Sequence, residues 1–168
     1  MHGSSTLGAQ KILTTHSVAS VVYNNISKQK GLRANNRFKA GDIIIPFSAG
    51  ETLIEPTYLT VQTGENEHIT LVPEFLQYTN HSCRPTVFFD TTNMVLLALR
   101  DIEIMEELTF FYPSTELNMS DSFDCFCGES ECLTHIKGAA FMSIDILAKY
   151  RLTDFINSKI HIKKQPKD

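Results

Sequence analysis

Asn80-His-Ser-Cys-Arg-Pro85, Glu106-Glu-Leu-Thr-Phe-Phe-Tyr112 and Cys125-Phe-Cys-Gly-Glu-Ser-Glu-Cys132 follow one another in the second half of the chain, and the rest is read outward from them. The last is a C-x-C-x4-C cluster in a segment, Asp121–Gly138, with neither helical nor strand periodicity. A hydrophobic core does not explain such a segment, so another force must hold it. Its three cysteines lack one ligand of a tetrahedral thiolate set, and Cys83 is the only other cysteine in the chain. Cys83, Cys125, Cys127 and Cys132 are therefore a candidate structural zinc site, with Gly128 permitting a tight turn inside it. Two other readings stay open here: reduced structural cysteines, or a disulfide pair in a secreted protein.

Short apolar runs dominate on either side: Val18–Tyr23, Asp42–Phe47, Ile69–Val72, Thr86–Phe89, Met94–Leu99 and Leu108–Tyr112. They are rich in Val, Ile, Phe and Tyr and separated by turn formers, which predicts a mostly β fold of many short strands. Asp90-Thr-Thr-Asn93 reads as a hairpin loop. Pro73-Glu-Phe-Leu-Gln-Tyr78 suits a turn or two of helix with Pro at the first helical position. From Ala139 the apolar residues Phe141, Ile144, Leu147 and Ala148 recur at helical spacing, predicting a helical stretch to Ile156 that packs on the domain. A disordered tail is expected over Lys163–Asp168.

The 168 residues suffice for one domain with a sizeable core, and 42% apolar content with eleven Phe argues for a globule. The net charge of −4 without a basic patch argues against nucleic acid as a partner. No apolar run is long enough to span a bilayer, and Met1–Gly8 has no secretory pattern. A nuclear or cytoplasmic, non-secreted protein without membrane contact is the expectation.

The three quoted segments resemble the signature blocks of the SET-domain methyltransferases. Asn80–Pro85 is similar to their N-H-S-C-x-P-N motif, and Glu106–Tyr112 to their E-E-L-T-F-x-Y segment. The cysteine cluster is similar to their post-SET zinc segment, whose fourth ligand in that family is the cysteine of the first motif. Upstream, Lys30-Gly-Leu-Arg-Ala34, Phe38-Lys-Ala-Gly-Asp-Ile-Ile44 and Gly50-Glu51 resemble the opening blocks, in the family order. The resemblance implies several small curved sheets around a pseudoknot, with short helices. It divides the chain into an extension (1–16), a SET domain (17–120), a post-SET segment (121–138) and a C-terminal helical extension and tail (139–168). It further implies S-adenosylmethionine held by Lys30, Gly31, Leu32, Asn80, His81, Tyr112 and Phe126, with Tyr112 catalytic. Phe110 and Tyr78 would line a substrate channel, Phe at 110 resembling the di- or trimethylating form.

The implied reaction is methyl transfer to a protein lysine, histone or non-histone. A SET-like enzyme acting on a small molecule and a catalytically silent interaction module are the alternatives. Three positions depart from the family pattern: Gln29 replaces the first glycine of G-x-G, Thr86 the last Asn of the signature, and Met105 a Gly before Glu-Glu. The insert between Gly50 and Asn80 is short, so the substrate groove is expected to be open or completed by a second copy in a homodimer.

Overall fold

The computed structural model describes residues 9–163, with side chains described to residue 160; the first eight residues and 164–168 of the expected tail lie outside it. The strands in chain order are β1 (Gln10–Thr15), β2 (Ala19–Asn24), β3 (Gln29–Ala34), β4 (Ile43–Pro46), β5 (Ser48–Leu53), β6 (Val61–Gly64) and β7 (Glu67–Val72). After them come β8 (Asn80–His81), β9 (Val87–Asp90), β10 (Val95–Ala98), β11 (Glu107–Phe110), β12 (Phe123–Asp124) and β13 (His135–Ile136). They form four small sheets, in the orders β1-β2-β3-β11-β8, β4-β10-β9, β5-β7-β6 and β12-β13. Mostly β, in several small sheets with few short helices, is what the sequence predicted.

Burial explains the layering. In β2 the run Ala19–Val22 is buried on both faces, as a central strand must be, whereas β1 at the edge is mostly exposed. Residues 10–15, which the sequence left outside the domain, thus pair with β2 as part of the main sheet. The core gathers Val21, Leu32, Leu108, Phe89, Leu96 and Ile69 from three of the sheets, with Phe47 between β4 and β5 packed among them. Phe89 is fully buried, its ring meeting Phe47 at 5.5 Å and Phe110 at 4.9 Å, both edge-on. Burying one such side chain contributes about 2–3 kcal/mol. The expected hairpin loop joins β9 to β10. The Asp90 carboxylate accepts from the backbone N–H groups of Thr92 and Asn93 at 3.1 and 3.0 Å, closing the turn from its own side chain.

Three local expectations change. Pro73 precedes a 3-10 turn over Glu74–Tyr78 as its extended cap, because its ψ of 144° is not helical. The strand bearing Phe110 ends there, and Tyr112 opens a 3-10 turn, Tyr112–Ser114. Pro113 has no N–H to continue the ladder. The helical stretch from Ala139 to Ile156 is broken into a 3-10 turn (Ala139–Phe141), α1 (Ile144–Leu147) and α2 (Asp154–Lys163). Two internal caps break it: Ser143 Oγ accepts from Ile146 N at 3.3 Å, and Thr153 Oγ1 from Ile156 N at 3.3 Å. Phe141, counted on the apolar face, is 69% exposed in consequence. The segment nonetheless packs back on the domain: Leu147, Leu152, Ile156 and Ile160 form a second core around Phe111.

Candidate active site

β8 is two residues long, yet it positions the site. It pairs parallel with β11, placing Asn80 beside Thr109 and His81 beside Phe110, while β11 pairs antiparallel with β3 on its other edge. The two signature segments therefore lie side by side, as the resemblance implied. Asn80 Nδ2 reaches past β11 to donate to the Lys30 carbonyl at 2.8 Å and to Glu107 Oε1 at 3.3 Å. Gly31 leaves room for this approach: a Cβ there would stand 3.0 Å from both Asn80 Nδ2 and Glu107 Oε1 and would push those side chains aside.

His81 Nδ1 accepts from the backbone N–H of Tyr112 at 3.2 Å, so that nitrogen carries no proton. Burial lowers the imidazole to about 4, which keeps it neutral. Its ring packs on Phe111, Tyr112 and Phe123 with centroids 5.2–5.6 Å apart. The Tyr112 hydroxyl lies 3.5 Å from the Thr79 carbonyl, and burial pushes it up to about 12. At neutral pH the hydroxyl therefore keeps its proton.

Two cavities meet at this tyrosine. The larger, of about 650 Å³, is an open cleft bordered by β3 and by Asn80, His81, Phe123 and Phe126. The smaller, of about 170 Å³, is lined by Thr79, Phe89, Phe110, Glu116 and Met119 among others. Tyr112 and Phe123 alone line both. Phe110, 4.7 Å from the Tyr112 ring, faces the smaller cavity although the strand has ended.

Of the remaining residues singled out in the sequence, Lys30 and Gly31 line the large cleft, and Phe126 does so while 91% exposed. Leu32 and Tyr78 reach neither cavity. Strand alternation turns Leu32 into the core, where it is fully buried. Tyr78 instead lies under the Lys30 ammonium, 4.8 Å from its ring centre. Gln29 borders the cleft at the start of β3. Thr86 does not: its buried hydroxyl accepts from Thr109 N at 2.9 Å and donates to the Glu107 carbonyl at 3.1 Å, stitching β11 in place.

Sequence reasoning missed Arg33, Glu107, Phe123 and Glu116. Alternation from Gly31 points to Arg33, and alternation from Thr109 to Glu107. Nothing in the sequence marks Phe123 or Glu116.

Beside His81 the four cysteine sulfurs lie within 4.8 Å of one another. Cys83 Sγ and Cys125 Sγ are 3.9 Å apart, about twice a disulfide bond and near the edge of a tetrahedron of ~2.3 Å metal–sulfur bonds. All four are free thiols, which removes the disulfide reading. Backbone N–H groups of Leu133 and Thr134 donate to Cys83 and Cys132 sulfurs at 3.4 Å each, bonds that metal-bound sulfur would accept. Gly128 takes φ 78° in the turn between them. The donor set fits a soft tetrahedral divalent ion. It would fasten the segment bearing Phe123 and Phe126 to the one bearing Asn80 and His81.

An open cleft beside β3 and a smaller, partly aromatic cavity thus meet at Tyr112 and Phe123. The family model described as SET domain matches residues 29–113, just over half of the chain, and the protein belongs to the SET domain family. The methyltransferase flvH of Aspergillus flavus is 42% identical over 102 residues, covering 60% of this chain and 57% of that one. The H3 lysine-36 specific histone-lysine N-methyltransferase of Yarrowia lipolytica is 27% identical over 177 residues, covering 88% of this chain but 23% of its own. The chain thus spans just over half of the first relative and less than a quarter of the second. Among solved structures, the methyltransferase domain of human SETMAR superposes with a TM-score of 0.51 at 19% identity, covering 77% and 58% of the two chains. KRYPTONITE in complex with mCHG DNA and SAH gives 0.50 at 21% identity, covering 63% and 26%. These likenesses carry the fold. Among the described residues no helix is long and apolar enough to cross a membrane.

Proposed function

We propose that this protein transfers a methyl group from S-adenosylmethionine to an amine, a protein lysine being the leading acceptor. The observation that carries the reading is Tyr112 standing between the two cavities. S-adenosylmethionine supplies an electrophilic methyl on sulfur, and the large cleft, with Lys30, Gly31, Asn80, His81 and Phe126, would hold it. Transfer by in-line displacement asks the protein for alignment more than for acid or base. The Tyr112 hydroxyl orients the amine from the small cavity, and His81, through the Tyr112 N–H, holds that tyrosine's backbone. Phe110 and Phe123 exclude water around it. One structural zinc on Cys83, Cys125, Cys127 and Cys132 would fasten the cleft's outer wall.

The histone-lysine names of relatives at 26–32% identity support a protein lysine and a nuclear setting. The relative at 42% identity is named a methyltransferase with no substrate stated, and a SET-like enzyme acting on a small molecule is the second reading. The net charge of −4 supports either over nucleic acid. Because a SET-fold neighbour is seen with DNA, duplex DNA belongs in the test as a competitor.

Calorimetry with S-adenosylmethionine tests the first half. Binding is expected, with most of it lost in Asn80→Ala while the metal stays; no binding by the wild type would favour a silent module. Label transfer to histones, peptides and free amines then separates the two acceptor classes.

A further inference from the structure

The small cavity contains an acid that nothing in the preceding reaction uses. Glu116 is a buried carboxylate bordering the same space as Tyr112, Thr79, Phe110 and Met119. Its Oε1 is occupied, accepting from Gln62 N–H at 3.0 Å and from the Thr115 hydroxyl at 2.9 Å. Its Oε2 has one polar neighbour, His68 Nδ1, at 3.9 Å, too far for a hydrogen bond. His68 Nδ1 is itself buried without a hydrogen-bond partner. An ionised carboxylate with a free oxygen in a mostly apolar pocket is costly, so it either holds a proton or takes a donor from a ligand. The rest of the lining is aromatic, aliphatic or hydroxyl-bearing, apart from Gln77 and the exposed Asp121.

We infer that Glu116 determines the acceptor class: its free carboxylate oxygen pairs with the ammonium of a cationic alkylamine entering the cavity beside Tyr112. This deepens the proposed function: the ammonium gives one proton to the Glu116 carboxylate, and the freed lone pair then forms the new C–N bond. The methyl–sulfur bond breaks as that bond forms, and its electron pair leaves on sulfur. A neutral alcohol or thiol acceptor would offer the carboxylate a hydrogen bond at most and no countercharge. Burial pushes Glu116 up to about 7, so an arriving ammonium draws it into its ionised form. The groups facing it are His68 from β7, Gln62 from β6, Thr115 on its own segment, and Tyr112 and Asp121 across the cavity; Glu55 lies near His68. Burial lowers His68, which leaves it neutral and no rival cation for the carboxylate.

The test uses the full zinc-loaded chain and measures binding of n-butylamine and, as an uncharged control, n-butanol. Wild type should bind the amine more tightly than the alcohol. Glu116→Gln should weaken the amine by about thirtyfold or more, as losing a buried charge partner does, and leave the alcohol unchanged. Glu116→Asp, which keeps the charge, should recover part of the loss; a merely structural Glu116 would show no such rescue. Amine affinity of the wild type should also rise with pH through the neutral range, while the alcohol's stays flat. That measurement needs no variant, should Glu116→Gln fail to fold. Equal amine binding by wild type and Glu116→Gln, or a pH-independent wild-type affinity, overturns the assignment. Amine binding as expected without methyl transfer upholds Glu116 and sinks the proposed reaction.

Discussion

Met105 adopts φ 67°, in the left-handed region where a Cβ is unwelcome, at the position where the family pattern carries glycine. Its backbone stays useful there: its N–H donates to the Ala34 carbonyl at 2.8 Å, and its carbonyl accepts from Arg33 at 3.3 Å. Met105→Gly should therefore keep both bonds and raise stability by about 1 kcal/mol, readable as a higher unfolding midpoint. A fall would show that the side chain's packing outweighs the strain. Glu116 gives a second expectation, with the sign set by its raised value. Its ordinary value is 4.5 and burial moves it to about 7, so the folded state holds a proton that the unfolded chain releases. Its contribution to stability is then greatest at and below about pH 4.5 and is lost as pH rises through about 7. Denaturation at a series of pH values should show wild type losing ground to Glu116→Gln between about pH 4.5 and 7, the window set by those two values; parallel curves would mean that Glu116 is not buried as an acid. At this scale the sequence was legible where chemistry is local. The four cysteines, Asn80, His81 and Tyr112 come together as expected. Glu116 and Phe123 were not legible, because their place depends on which loops close over the cavity. Leu32 was misjudged because a motif names neighbours without saying which face of the strand each takes.

The C-terminal segment shows how elements lock one another. Tyr150 stacks flat on Phe111 at 3.6 Å, and its hydroxyl donates to the Cys83 carbonyl at 2.8 Å. The second core thus leans on the residue before Tyr112 and on the candidate metal site together. Gly138 begins the segment with no room to spare: a Cβ would stand 2.3 Å from the Leu117 carbonyl oxygen, which is backbone and cannot turn away. Gly138→Ala should cost about 3 kcal/mol or more, by loosening the contacts in which Ala139 and Ala140 donate to Glu116 and Leu117 carbonyls at 2.9 and 3.0 Å. Wild-type stability in that variant would mean that the segment docks independently of the turn. Zinc gives the parallel test for residues 121–138. A chelator should release about one zinc per chain and expose the segment to protease, since metal affinity is folding energy for a stretch without a core. A protein purified without chelator and lacking zinc would contradict this. The strands were largely readable from apolar runs, because a half-buried sheet writes its faces into the sequence. β8 was not, being two residues held by its partner. The break at Ser143 was not read either, since apolar spacing alone does not register two internal caps.

Taken whole, the molecule uses a parallel contact between two distant segments to set Asn80 and His81 against Tyr112, and a cysteine cluster to close the wall beside them. The resemblance carried this arrangement in advance, because the order of the motif blocks encodes the threading. The acceptor it implied, a protein lysine, would enter a cavity shared between β6, the Thr79 turn and residues 116–123, whose lining the motif blocks do not name. The central claim is that Tyr112 aligns an amine for methyl transfer from S-adenosylmethionine. The most direct measurement is label transfer from S-adenosylmethionine to a lysine peptide and to a free alkylamine, by wild type and Tyr112→Phe in parallel. Wild type should label at least one of them. The variant should fold within about 1 kcal/mol of wild type, the typical worth of a hydrogen bond. It should still bind the donor and turn over about a hundredfold more slowly or worse, because small errors of alignment are costly in a positioning mechanism. Near-wild-type turnover in Tyr112→Phe, or no transfer by the wild type to any amine despite donor binding, would contradict the account.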